Sequence, residues 1–285
     1  MVWLIIINIR VCRVELAGKV VVVTGGGNGI GRQIVLILLG KGANVAAVDV
    51  NTQGLEETQT LFQSSSHVAA GATLTLHTCD ISKRESVATL PDEVVAQHEH
   101  VDVIVNNAGV IHPFDNFSDM DYSIIERVIN VNLYGVIHIT KAFLPLLSQR
   151  PKARVVNISS MGGLFPFPKQ TLYGATKAAI KLLSEGLHSE LHNSNVGVTV
   201  VFPGAIDTDI AKNCDANDAN LQKFRSVKMG IAPEKAALRI VQGIEKERLH
   251  VYIGVDSKSL SFLYRMCPKL TIALLGKVMR MVFPD

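Results

Sequence analysis

Lys19-Val20-Val21-Val22-Val23-Thr24-Gly25-Gly26-Gly27-Asn28-Gly29-Ile30-Gly31 is the stretch on which the fold turns. Four consecutive valines read as a strand covered on both faces, as in a parallel sheet with helices above and below it. The glycine cluster marks a tight turn, and helical periodicity follows over 30–41. Working outward, the same unit recurs. Short β-branched runs at 44–49, 73–80, 101–106, 154–159, 196–202 and 249–253 alternate with helical patterns at 52–64, 83–98, 119–147, 172–192 and 233–247. Strand alternating with helix predicts right-handed βαβ units in one α/β, doubly wound parallel sheet of about seven strands. Residues 205–230 break the rhythm and read as a lid or binding loop.

The turn has the spacing T-G-x-x-x-G-x-G rather than G-x-G-x-x-G. Gly25 permits the tight turn, Gly29 lets backbone approach a pyrophosphate, and Gly31 allows close helix–strand packing. With Asn28 and Ile30 between them, the helix start offers N–H groups and a positive dipole end to phosphates. Asp49 ends the second strand, where an acidic residue bonds the adenosine ribose hydroxyls. Its carboxylate repels a 2′-phosphate, and neither Val50 nor Asn51 offers a cation to hold one, although Arg32 is near in sequence. These residues favour NAD over NADP.

Tyr173 and Lys177 are four apart on a predicted helix and so share a face. Bringing a tyrosine pKa from about 10 to about 7 needs about 4 kcal/mol. A cation about 4 Å away at an effective dielectric of about 20 supplies roughly that much. The spacing therefore suffices for a tyrosinate general base. Asp80, Asn106 to Gly109, Asn132, Ser159-Ser160 and Pro203-Gly204 all fall at a predicted strand's carboxyl end or on the helix beyond it, where open α/β sheets bind ligands.

In this order, Thr24–Gly31, Asp80, Asn106–Gly109, Asn132, Ser160, Tyr173/Lys177 and Pro203-Gly204 with Thr208 resemble the motifs of the short-chain dehydrogenase/reductase family, in its compact branch. The resemblance covers about residues 15–255 and implies a Rossmann-type fold and hydride transfer between nicotinamide and a secondary alcohol or ketone. It implies Tyr173 as general acid/base, Lys177 as the cation that lowers its pKa and holds the nicotinamide ribose, and Ser160 as the hydrogen bond to the substrate oxygen. Ser160 is preferred to Ser159 because family spacing puts this serine 13 residues before the tyrosine. Asn132 would support a water-linked proton relay. Asn107 and Gly109 would frame the adenosine side of the cleft, Asp80 the adenine and Thr208 the carboxamide, with Ile81, Ala108, Pro203 and Gly204 also binding the cofactor. Homodimers or homotetramers pairing the two long helices are implied by the same analogy. A cofactor-sensing protein on this fold is the alternative; such proteins usually lose the Tyr or the Lys, and both stand here.

Substrate-side residues are expected just beyond the strand ends, at Ile111 and His112, then from Met161 to Phe167, with Leu164, Phe165 and Phe167 making an apolar cleft, and in the 205–230 loop. His188 and His192 have a metal-ligand spacing, but no third ligand accompanies them, and they read as surface residues without a metal. A net charge of +3 in 285 residues gives no case for nucleic acid, and the composition excludes disorder and collagen-like repeats. The four cysteines are scattered and read as reduced thiols in a cytoplasmic chain. Residues 1–14 are expected to form an extension; Met1 to Ile9 is apolar but lacks a basic n-region and an A-x-A site, which argues against a secretory signal. Residues 15–257 then form the catalytic domain. Residues 258–285 carry a net +4, more than the whole chain's excess, with Pro268 splitting them. Lys269, Lys277 and Arg280 share a helical face. That tail reads as a helix packed over the cleft or at a subunit interface, with peripheral contact on an anionic membrane as the alternative.

Overall fold

The computed structural model describes residues 14–66, 69–207 and 230–282. Its strands are β1 (Val20–Thr24), β2 (Asn44–Asp49), β3 (Leu74–Thr78), β4 (Val103–Asn106), β5 (Ala153–Ile158), β6 (Val196–Pro203) and β7 (His250–Ile253). They form one seven-stranded sheet in the order β3-β2-β1-β4-β5-β6-β7, with every neighbouring pair parallel. The helices are α1 (Gly29–Gly40), α2 (Thr52–Ser64), α3 (Arg84–Ala88), α4 (Leu90–His98), α5 (Tyr122–Ile129), α6 (Gly135–Ser148), α7 (Thr171–Glu190), α8 (Pro233–Glu245), α9 (Val255–Met266) and α10 (Pro268–Val282).

Alternation along β1 builds both halves of the core. Val21 and Val23 point to the face where Ile34 and Leu38 of α1, Leu55 of α2 and Ile240 and Ile244 of α8 pack. Val20 and Val22 point to the other, against Leu90 and Val94 of α4 and Ile139, Phe143 and Leu147 of α6. Each such side chain, fully buried, contributes roughly 1.5–3 kcal/mol. The stretch Tyr122–Ser148 is long and apolar enough to cross a membrane by composition, but in this fold α6 turns that apolar stripe onto the sheet.

Two expected helices are interrupted. The 83–98 stretch divides into α3 and α4 around Thr89, because Pro91 in the first turn of α4 cannot continue a preceding helix. The 119–147 stretch begins with a 3₁₀ turn at Phe117–Asp119, and a π turn at Asn130–Tyr134 joins α5 to α6. Sheet order reverses between β1 and β4, so a crevice opens there at the strands' carboxyl ends.

The amino edge is held differently. Asp102, fully buried, accepts from the Val20 N–H at 3.0 Å and Arg150 Nε at 3.0 Å, with His100 Nε2 at 3.2 Å and Lys19 Nζ at 3.4 Å. Burial pushes its carboxyl up, but these bonds and the two cations outweigh burial and hold it below the usual carboxylate range. This clamp stands at the far end of the strands from the crevice, so its role is structural.

Residues 1–13, including Cys12, lie outside the described residues; Val14 donates its N–H to Glu245 O at 2.8 Å. The expected 205–230 lid is described only at its neck, where Ile206 and Ile231 form a parallel bridge. Thr208 and Cys214 fall outside. Cys79 and Cys267 are free thiols. On α7, a Cβ at Gly186 would meet nothing within 4 Å. Gly186→Ala is therefore expected to raise stability by about 0.5–1 kcal/mol, or about 2 °C in thermal unfolding, by reducing unfolded-state entropy. A lowered midpoint would contradict the open space at this position.

Candidate active site

A cleft of about 560 Å³ occupies the crevice between the carboxyl ends of β1 and β4 and extends toward β6. Its floor on one side is the glycine turn. Gly25 adopts φ +69°, and a Cβ there would stand 2.8 Å from Asn107 Nδ2. At Gly31 a Cβ would overlap the Gly25 carbonyl oxygen and approach Asn107 Nδ2 at 2.5 Å. Gly31 is thus beneath the floor, while Gly25, Asn28, Gly29 and Ile30 line it. Asn28 caps α1, accepting the Gly29 N–H at 2.6 Å. The next first-turn N–H groups have no carbonyl four residues back within the helix and remain for an anion.

Two loops flank this floor. Thr24 Oγ1 accepts the N–H groups of Asn107 at 3.0 Å and Ala108 at 3.1 Å, and Asn107 Nδ2 donates to Thr24 O at 3.0 Å. Asp49 accepts the Gly27 N–H at 3.0 Å through Oδ2 and the Asn51 N–H at 3.0 Å through Oδ1, at the cleft's edge. Asp80 and Ile81 line the same end. Burial pushes the Asp80 carboxyl up, but two bonds from Ser82 and the charge of Lys83 outweigh it and leave the pKa lowered. The flat, glycine-lined cradle with a carboxylate at its rim fits an adenosine dinucleotide on steric and charge grounds.

The opposite wall comes from α7, the turn after β5 and the π turn. Ser160 and Ser159, adjacent in sequence, part company. Ser159 is buried and donates to Lys177 O at 2.7 Å, whereas Ser160 lines the cleft with Tyr173 and accepts the Gly162 N–H at 3.1 Å. Lys177, one turn beyond Tyr173, is 4% exposed. Its Nζ donates to Ile158 O at 3.1 Å and stands 5.8 Å from the centroid of the Tyr173 ring. Burial lowers its pKa to about 8. Burial also pushes the phenol up, against the lowering effect of the Ser160 hydroxyl, so desolvation opposes the lowering expected from the neighbouring cation. Asn132 is fully buried in the π turn. It accepts the Val110 N–H and donates to Val110 O, both at 2.8 Å, with Thr176 Oγ1 at 3.3 Å. A Cβ at Gly109 would lie 3.2 Å from both Asn132 Oδ1 and Lys177 Nζ, so glycine keeps the space between them open.

A phenol, a hydroxyl and a buried ammonium thus face a glycine cradle across one cleft. The short chain dehydrogenase model matches residues 19–219. The chain belongs to the short-chain dehydrogenases. A putative oxidoreductase, SadH, of Mycobacterium tuberculosis is 38% identical over 256 residues, covering 87% of this chain and 91% of its own. A short-chain dehydrogenase/reductase from Burkholderia phymatum, solved in complex with NAD, superposes with TM-score 0.81 at 27% identity, covering 90% of this chain and 96% of that one. A metagenomic short-chain oxidoreductase in complex with NADP gives TM-score 0.68 at 26% identity, over 84% and 97% of the two chains.

On the substrate side of this dehydrogenase, some expected residues stand elsewhere. Met161 lines the cleft, but Leu164 and Phe165 do not. Phe165 is buried against Phe167, and Phe167, expected on this side, faces the cleft. His112, 1% exposed, is turned away from the cleft. Its Nε2 accepts the Tyr173 N–H at 3.3 Å and its Nδ1 pairs with Pro113 O at 2.6 Å, which fits a neutral ring and agrees with a pKa lowered by burial. In this position it holds the start of α7. Pro203 and Gly204 line the cleft near Ile206. Sequence reasoning missed Gln170, Phe114 and Met279 as lining residues. Met279 comes from α10, a helix too far along the chain to be assigned to the site by spacing.

Proposed function

We propose that this dehydrogenase interconverts an apolar secondary alcohol and its ketone, with NAD as the preferred dinucleotide. The reading rests on one juxtaposition, Tyr173, Ser160 and Lys177 facing the glycine turn and Asp49 across a single cleft. Ile111, Phe114, Met161, Phe167, Ile206 and Met279 make the remaining wall largely apolar, with Gln170 and Arg127 as its polar members, which supports a carbonyl compound with a hydrocarbon body. The substrate oxygen accepts hydrogen bonds from the Tyr173 and Ser160 hydroxyls. In reduction Tyr173 gives its proton to that oxygen, and in oxidation the phenolate takes the proton back. Lys177, charged below about pH 8, stabilises the phenolate. Asn132, locked on Val110, orients the path by which the proton is replaced. A dinucleotide bound along 25–31 and 107–109 supplies the hydride donor or acceptor.

The preference for NAD rests on Asp49 and on the engagement of Arg32. Its guanidinium bonds Glu57 at 2.7 Å, Gly54 O at 3.1 Å, Thr58 at 3.1 Å and the Gly27 carbonyl, so it is not directed to a 2′-phosphate. A panel of apolar alcohols and ketones assayed with both dinucleotides tests the reading. The wild type is expected to favour NAD in kcat/KM by about a hundredfold, and Asp49→Ala to narrow the ratio at least about tenfold, as carboxylate–phosphate repulsion disappears. A wild-type enzyme that favours NADP would refute the assignment to Asp49.

A further inference from the structure

Helices α9 and α10 present an apolar, cationic face that no described residue covers. On α9, Val255, Phe262 and Met266 form one stripe and are 84%, 68% and 66% exposed. On α10, Leu270, Leu274, Val278 and Met281 follow i, i+4, i+8, i+11 and are 62%, 46%, 41% and 74% exposed. Lys258 and Arg265 stand seven apart on α9, and Lys269, Lys277 and Arg280 share a face of α10. Residues 258–282 contain no acidic side chain. The helix is nonetheless anchored, because Thr271 and Leu275 are buried on its inner side and Met279, next on that stripe, lines the cleft. The exposed stripe is therefore not a displaced piece of the core.

We propose that this face docks on a bilayer surface rich in anionic lipid, with α10 lying in the plane of the headgroups. Apolar side chains beside a row of cations match the layering of acyl chain and phosphate at that boundary. Spanning is excluded, since the 15 residues of α10 at about 1.5 Å each reach about 22 Å against a hydrocarbon core of about 30 Å. A second copy of the chain fits less well, because pairing this face with itself would oppose five cations to five. Docking here sets the cleft mouth, on the Met279 side, against the surface where apolar carbonyl compounds concentrate; that last consequence rests on the reading of the cleft as the active site.

Sedimentation of the full-length protein with vesicles of phosphatidylcholine alone, and of phosphatidylcholine mixed with phosphatidylserine, tests the docking independently of catalysis. Binding to the mixed vesicles, weakened by salt, is expected. Replacing Lys269, Lys277 and Arg280 together by Gln should cut partitioning about a hundredfold, at about fivefold per cation. The variant L270S/L274S/M281S should lose binding as well, with unchanged melting, since all six side chains are exposed. No sedimentation with either vesicle, or undiminished binding of the Gln variant, would overturn the proposal. So would light scattering in which the unbound protein is a dimer that only the Ser variant splits, which would make the face an interface between copies.

Discussion

Tyr173→Phe is expected to lower kcat for both alcohol oxidation and ketone reduction by about a thousandfold while leaving dinucleotide affinity within about threefold. The substitution keeps the ring beside Lys177 and removes only the hydroxyl. The same group dictates the pH dependence. Burial pushes the phenol up, so the phenolate that oxidation needs is scarce at neutral pH and increases with pH. Lys177 loses its charge above about pH 8, and with it the phenolate loses its nearest cation. Oxidation by the wild type should therefore climb with pH below about 8 and bend over above it, whereas reduction, which uses the protonated phenol, should stay flat below that point. Steady-state kinetics across this range is the measurement. A Phe variant retaining more than about a tenth of the wild-type rate would remove Tyr173 from the proton transfer.

The second large effect concerns the fold and the cleft together. Gly31→Ala places a methyl group on the Gly25 carbonyl oxygen and 2.7 Å from the Gly25 carbonyl carbon. Both obstacles are backbone, so no side-chain rotation relieves them, and Asn107 Nδ2 blocks the third direction at 2.5 Å. The turn must move away from α1, which carries its hydrogen bonds to β4 with it. A loss of about 3 kcal/mol and a fall of about 10 °C in the thermal midpoint are expected, with dinucleotide affinity lowered more than about tenfold. Calorimetry and titration of the variant check both; wild-type melting would mean that α1 and the turn are not in this close contact.

Much of this architecture was legible because two-sided burial leaves unbroken apolar runs. Val20 to Val23 and Val200 to Phe202 announce parallel strands without any alternation to decode. The carboxyl-edge residues followed from strand ends, and the Tyr173/Lys177 spacing from helical geometry. The π turn was not legible. It is accompanied by a bond between Asn132 and Val110, 22 positions apart, and the apolar pattern of 119–147 reads as one helix. His112 beside Pro113 carried no sign that its ring would turn inward to meet the Tyr173 N–H. On α10 the pattern misdirects outright. The outward stripe of Leu270, Leu274, Val278 and Met281 is more apolar than the inward one of Thr271, Leu275 and Met279, so hydrophobic periodicity alone turns the helix the wrong way.

The hydroxyl of Thr24 receives two N–H groups from the loop after β4 and itself reaches Val105 O at 3.4 Å. One oxygen atom thereby joins the turn that would cradle the phosphates to the loop that leads toward Gly109 and Lys177. The two halves of the cleft floor cannot drift independently, and their relative position is settled when the sheet forms. Ordering entropy on that side is incurred during folding rather than at each encounter with a ligand. The floor is preorganised, and conformational adjustment during turnover falls to the segments around it.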